Sequence, residues 1–200
     1  MLSRHEVVIL FSLISVVGCR APQARQGYQT SGWSSQPDAS AAELNRRGVR
    51  RAEAGDFDGA EEAFRAALAV SPGLASAHNN LGLVLVERRA LYEAALEFKM
   101  ASRLAPEAVE PYMNLARLYE SVGWLKESAA SYRLALSCDP ENVPAMGRLA
   151  SVLIRSGRDI EAGPLLSILA SQLGASATDE WVAWSQEALC RLRGEREGFD

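Results

Sequence analysis

Pro111-Tyr112-Met113-Asn114-Leu115-Ala116-Arg117-Leu118-Tyr119, followed by Gly123, Leu125, Tyr132, Ala135 and Asp139-Pro140, decides the fold of this chain. Its landmarks recur at a fixed interval of thirty-four residues. Pro72, Pro106 and Pro140 are in phase, as are Phe64, Phe98 and Tyr132, and Ala67, Ala101 and Ala135. Ala60, Ala94 and Ser128 form a further column of small residues. A period of this length marks a helical repeat array, in which each unit buries its apolar face only against its neighbours.

Each unit reads as helix A, a tight turn, helix B and a closing proline. The first, 41–74, carries Leu44, Gly48, Gly55, Phe57, Ala60, Phe64 and Pro72; the second, 75–108, His78, Leu81, Gly82, Leu85, Leu91, Ala94, Phe98 and Pro106. The third, 109–142, has the residues quoted above. A degenerate fourth, 143–176, keeps Met146, Leu149, Ala150, Leu153, Gly157, Ala162 and Leu166, with Gly174 where the proline would stand. This pattern resembles the tetratricopeptide repeat over roughly residues 41–176. The resemblance implies an all-α superhelix of antiparallel helix pairs and a concave groove lined by the A helices.

Physical causes stand behind the pattern. The small residues let paired helices approach, and the aromatics are expected to fill space between neighbouring units. Gly55, Gly123 and Gly157 suit a left-handed turn, whereas Arg89 takes that place in the second unit and predicts a tighter or strained turn. Ser40-Ala41-Ala42-Glu43 reads as a capping box opening the first helix. Pro164 falls inside the fourth helix B and predicts a late start or a bend. An array also needs its last face covered. Residues 177–193, with Trp181, Trp184, Ala188 and Leu192 at helical spacing, form the expected capping helix, and 194–200 a tail.

The N-terminus carries a different signal. Arg4 and His5 precede the apolar run Val7–Val17, which is shorter than the roughly 20 residues a spanning helix needs. Val16-Val17-Gly18-Cys19 resembles the bacterial lipobox, which implies a signal peptide over 1–18 and acylation of Cys19. A plain secretory signal or an uncleaved anchor is the alternative reading. More than one acyl chain anchors stably. With Arg20 rather than Asp after the cysteine, the resemblance leans to an outer-membrane lipoprotein facing the periplasm. Residues 19–40, rich in Gln, Ser, Gly and Pro, read as a flexible tether spanning on the order of 25 Å.

Composition narrows the function. Apolar residues make up 48% and net charge is −4, so the chain is globular, and no basic stripe suggests nucleic acid. His5 and His78 are the two histidines, and no Ser/His/Asp set, zinc-protease motif or phosphate loop appears. Cys138 and Cys190 show no metal-ligand spacing and read as two buried thiols. No enzyme, cofactor or metal is expected. What remains is the groove, to which Asn45, Asn79, Asn80, Leu83, Glu87, Met113, Asn114 and Arg117 are assigned as partner-binding residues, with Glu120 and Arg155 further along it. An amide both donates and accepts, so a row of Asn can hold an extended peptide. The expected function is a lipid-anchored envelope scaffold for a protein or peptide, such as a pilotin-like assembly factor for type IV pilus secretins. The alternative is an accessory domain of a glycan- or peptidoglycan-handling complex, using exposed Trp33, Trp124 or Trp181.

Overall fold

A computed structural model describes residues 38–171 and 179–197. Cys19, the signal segment, the tether as far as residue 37 with Trp33, residues 172–178 with Gly174, and residues 198–200 lie outside the described residues, whereas Ala39 and Ser40, read as the end of the tether, belong to the first helix. The described residues form nine helices and no strand: α1 Ala39–Glu53, α2 Phe57–Val70, α3 Ala75–Glu87, α4 Leu91–Leu104, α5 Val109–Ser121, α6 Leu125–Cys138, α7 Val143–Arg155, α8 Asp159–Ser171 and α9 Asp179–Glu197. α1/α2, α3/α4, α5/α6 and α7/α8 pack as antiparallel pairs, and each B helix also packs on the next A helix. α9 lies against α8 and α7 and closes the array. The architecture is an all-α superhelix of helix pairs.

Local chemistry sets the helix ends. Asp38, not Ser40, caps α1: its carboxylate accepts the Ser40 amide at 2.8 Å, and Glu43 is drawn away to Arg46 and Arg50. The first helix therefore starts before the expected capping box. Asp56 and Asn142 cap α2 and α7 by accepting the amides of Gly59 and Ala145. The A–B turns need a left-handed residue: Gly55, Gly123 and Gly157 have φ of 80°, 79° and 70°. Arg89 adopts φ 63° at the same place, a conformation that costs an L-residue roughly 1 kcal/mol. α8 starts at Asp159, in register with the other B helices and not late, and runs through Pro164.

The aromatic column explains the glycine column. Phe64, Phe98 and Tyr132 are fully buried. A Cβ on Gly48 would stand 2.5 Å from Phe64 Cε1, and one on Gly82 would stand 2.6 Å from Phe98 Cε1. Phe64 and Phe98 are thus seated on the helix A backbone of their own units, and the same rings join one core cluster with Leu81, Leu85, Leu115 and Tyr119 of neighbouring units. At the far end Trp181 and Trp184 are buried and meet edge to face, with centroids 5.5 Å apart. Gly147 is the seat for Trp181, whose ring would collide with any Cβ there. An ion network ties the first two units together. Glu61, almost wholly buried, is held by Arg65 and Arg88, and Arg88 also reaches Asp58 at 2.9 Å.

Candidate functional site: the inner face of the A helices

The 34-residue period places equivalent A-helix residues in columns, and side chains from successive A helices meet across the units. Asn80 Nδ2 donates to Asn45 Oδ1 at 3.0 Å, and Asn114 Nδ2 donates to Asn79 Oδ1 at 2.9 Å. Asn45 Nδ2 reaches Ser76 Oγ at 3.4 Å. Asn79 Nδ2 makes no hydrogen bond; the place of Ser76, which serves Asn45, is taken by Glu110 in the third unit. All four asparagines are buried.

This corrects the reading of the asparagine row. Asn45, Asn79, Asn80 and Asn114 do not present their amides to a passing peptide; they form an internal ladder between units. An amide removed from water must find a partner, and the repeat spacing puts another amide within reach. Leu83 is likewise buried, in the core with Leu81 and Phe98. Of the other assigned residues, Glu87 is exposed, and Met113 and Arg117 are half-buried.

Beyond the ladder the inner face becomes charged. Arg155 Nη1 donates to Glu120 Oε1 at 2.6 Å, and Arg148 Nη1 lies 3.6 Å from Glu120 Oε2. Tyr132 donates its hydroxyl to Glu120 Oε2 at 3.1 Å. Burial raises the Tyr132 phenol well above its ordinary range, and the Glu120 charge adds to the effect. Arg117, one turn before Glu120 on α5, has its proton affinity lowered by burial and then by the positive charge of Arg148, with Glu120 opposing. Sequence reading placed Arg117, Glu120 and Arg155 on this face and missed Arg148. Its signal was available, since Arg148 occupies the column of Asn80 and Asn114.

The remaining candidates are structural. His78 Nδ1 lies 2.6 Å from Glu97 Oε2 and Nε2 lies 3.0 Å from the Pro72 carbonyl. Tyr112, one repeat later, donates to the Pro106 carbonyl at 3.3 Å, so both side chains tie a helix A to its preceding proline. Cys138 is half-buried with its thiol on the Pro106 carbonyl, and Cys190 is exposed; both are free thiols rather than two buried ones. Trp181 is buried, whereas Trp124 is 58% exposed and stacks on Tyr119 at 5.7 Å. Among the described residues no group of three or more His, Cys, Asp or Glu is placed to hold a metal ion, and no helix is long and apolar enough to cross a membrane.

These features define a helical repeat array whose inner face offers polar and charged side chains. Residues 109–142 match the tetratricopeptide repeat family, and the described residues have that family's superhelical fold. A tetratricopeptide repeat protein of Parabacteroides merdae is similar over 80% of this chain and 62% of its own, with a TM-score of 0.68 and 21% identity. The first repeat domain of Spaghetti (RPAP3), solved bound to an HSP90 peptide, is similar over 61% of this chain and 99% of its own, with a TM-score of 0.58 and 16% identity. In sequence, the mouse (Mus musculus) protein O-mannosyl-transferase TMTC3 is 30% identical over 89 residues. That match spans 44% of this chain and only 10% of the transferase.

Proposed function

We propose that the chain is a non-catalytic, membrane-tethered scaffold of a bacterial cell envelope that holds a protein or peptide on the inner face of its A helices. The observation that carries this reading is the inner face itself, where Glu87, Met113, Arg117 and Arg155 remain accessible in part while the aromatic columns are consumed by packing. The repeat fold supports it, since stacked helix pairs build extended concave binding surfaces. The Spaghetti domain, bound to a peptide in its solved form, supports the partner class.

The tether rests on the lipobox-like Val16-Val17-Gly18-Cys19, with acyl chains on Cys19 holding the protein at the periplasmic side of the outer membrane. A role as an assembly factor of the pilotin kind fits a small anchored adaptor. The glycan-handling alternative retains Trp124 as an exposed aromatic platform and loses Trp181 to the core.

A photo-crosslinking residue at Met113 tests the scaffold in native envelopes. A discrete partner band at Met113, absent from the same residue placed at exposed Leu96 on the outer face, is expected. Equal labelling at both positions refutes inner-face binding. Cys19→Ala tests the anchor separately: the protein should move to the soluble fraction, and retention in membranes refutes lipidation.

A further inference from the structure

The outer face of the B helices is apolar where a surface that meets only water would be polar. Tyr92, Leu96 and Met100 follow at four-residue intervals on α4 and are exposed, Tyr92 to 75%. Residues four apart are neighbours on a helix, so the three form a stripe. The repeat carries the stripe onward. One unit later its places hold Lys126, Ala130 and Leu134 on α6, all exposed. Two units later they hold Ile160, Pro164 and Ile168 on α8, again exposed, Ile160 to 82%. Lys126 is the one polar residue among the nine. In the first unit the matching places hold Asp58, Glu62 and Ala66, so the apolar face begins with the second unit. A cavity of about 510 Å³ adds an apolar recess beside Pro164, lined by Leu136, Leu149 and Leu153. One unit earlier the place of Leu153 holds the larger Tyr119, with the Lys99 ammonium 5.9 Å from its ring centroid.

Exposed apolar surface of this extent marks a contact with a membrane or with another protein. Two observations select the membrane. Extended peptides are held in grooves or along sheet edges, and this is the outer side of the superhelix. The described chain starts at Asp38, nineteen residues after Cys19, so an acyl anchor there keeps a bilayer within a span on the order of 25 Å. At that range the effective concentration is high, and a face too weak to bind a membrane alone is sufficient. We propose that the outer face of α4, α6 and α8 docks on a phospholipid surface, with Tyr92, Leu96, Leu134, Ile160 and Ile168 entering the headgroup boundary. This rests on the lipid-anchor reading and adds an orientation to it. The aliphatic side chains gain by leaving water, and Tyr suits the boundary because its ring is apolar and its hydroxyl stays wet. Lys126 buries its stem and keeps its ammonium among the phosphates. The inner face of the A helices then looks away from the bilayer, open to a partner.

The test uses the full-length protein as isolated from its host membranes, reconstituted into vesicles of phosphatidylethanolamine and phosphatidylglycerol. Benzoylphenylalanine is placed in turn at Leu134, at Ile168 and, on the inner face, at exposed Glu87. After irradiation, mass spectrometry reads phospholipid adducts and the acylation of Cys19 in the same sample. Adduct yields at Leu134 and Ile168 about tenfold above that at Glu87 are expected. Leu96→Glu combined with Leu134→Glu should lower the yield at Ile168 about tenfold, and far-UV circular dichroism checks that this variant remains helical. If it loses its helical signal, the comparison of Leu134 and Ile168 with Glu87 decides on its own. Equal yields on the two faces, no lipid adduct at either outer position, or an unchanged yield at Ile168 in the folded double variant overturns the docking. A crosslink from Leu134 to a second copy of the chain in place of lipid also overturns it. Absent lipid adducts on protein whose Cys19 is acylated refute the docking and leave the anchor standing. Outer-face adducts on protein whose Cys19 is unmodified do the reverse.

Discussion

Substituting Gly82 by Ala tests the packing logic of the array most directly. The new Cβ would lie 2.6, 2.7 and 3.0 Å from three ring atoms of Phe98, which is fully buried and has no solvent to retreat into. Overpacking of this kind costs about 1–3 kcal/mol. Replacing Gly in a helix interior returns up to about 1 kcal/mol of backbone entropy. The expected net loss is therefore about 1–2 kcal/mol. The chain already contains a compensated version of the same pair, Ala150 with Leu166 in the fourth unit, both fully buried. Gly82→Ala combined with Phe98→Leu should consequently cost less than the two single changes added together, with a coupling of about 1 kcal/mol. Urea unfolding followed by far-UV circular dichroism measures the total. Hydrogen exchange over α3 and α4 localises it, which matters because repeat arrays open unit by unit. A Gly82→Ala protein at least as stable as the parent would refute the ring-on-backbone account.

Three further outcomes follow from other contacts. Arg89→Gly should stabilise the second A–B turn by about 0.5–1 kcal/mol, since Gly accepts φ 63° without strain; thermal unfolding reads the shift. Asn80→Ala should lose about 1–2 kcal/mol, because it removes the buried bond from Asn80 to the Asn45 carbonyl oxygen, and hydrogen exchange in α1 and α3 should rise together. The Tyr132 phenol is raised in the folded state, so its neutral form supplies stability that is intact below the ordinary tyrosine value of 10.0 and is lost as pH climbs above it. Unfolding measured from pH 8 to 11 should show a decline above about pH 10 that Tyr132→Phe flattens.

The sequence carried the architecture well because the repeat supplies three near-copies of every packing decision. Gly48 and Gly82 opposite Phe64 and Phe98, and Gly55, Gly123 and Gly157 at the turns, are legible from phase alone. The function-bearing face was less legible. Phase shows which residues share a column and cannot show whether a column faces a ligand or its own neighbour, so Asn45, Asn79, Asn80 and Asn114 read as donors to a peptide when they bond to one another. Arg148 escaped because it sits among apolar residues, between Gly147 and Leu149, in a helix read for its packing. The start of α1 was misjudged because Asp38 and Ser40 both suit an N-cap, and only the geometry distinguishes them.

The ladder also behaves as a grammar for the array. Each rung joins an acceptor in one unit to a donor thirty-five residues on, one step longer than the repeat. A unit therefore needs two adjacent asparagines to be both received and continued, and Asn79-Asn80 in the second unit meets that condition. The first unit has Arg46 in the donor place and can only begin the chain; the third has Met113 in the acceptor place and can only end it. An array lengthened by copying residues 75–108 would carry its rungs through intact, whereas one lengthened by copying 109–142 would bury an amide against a thioether. The length of the ladder is in that sense written into three pairs of neighbouring residues, and its middle unit is the one that can be multiplied.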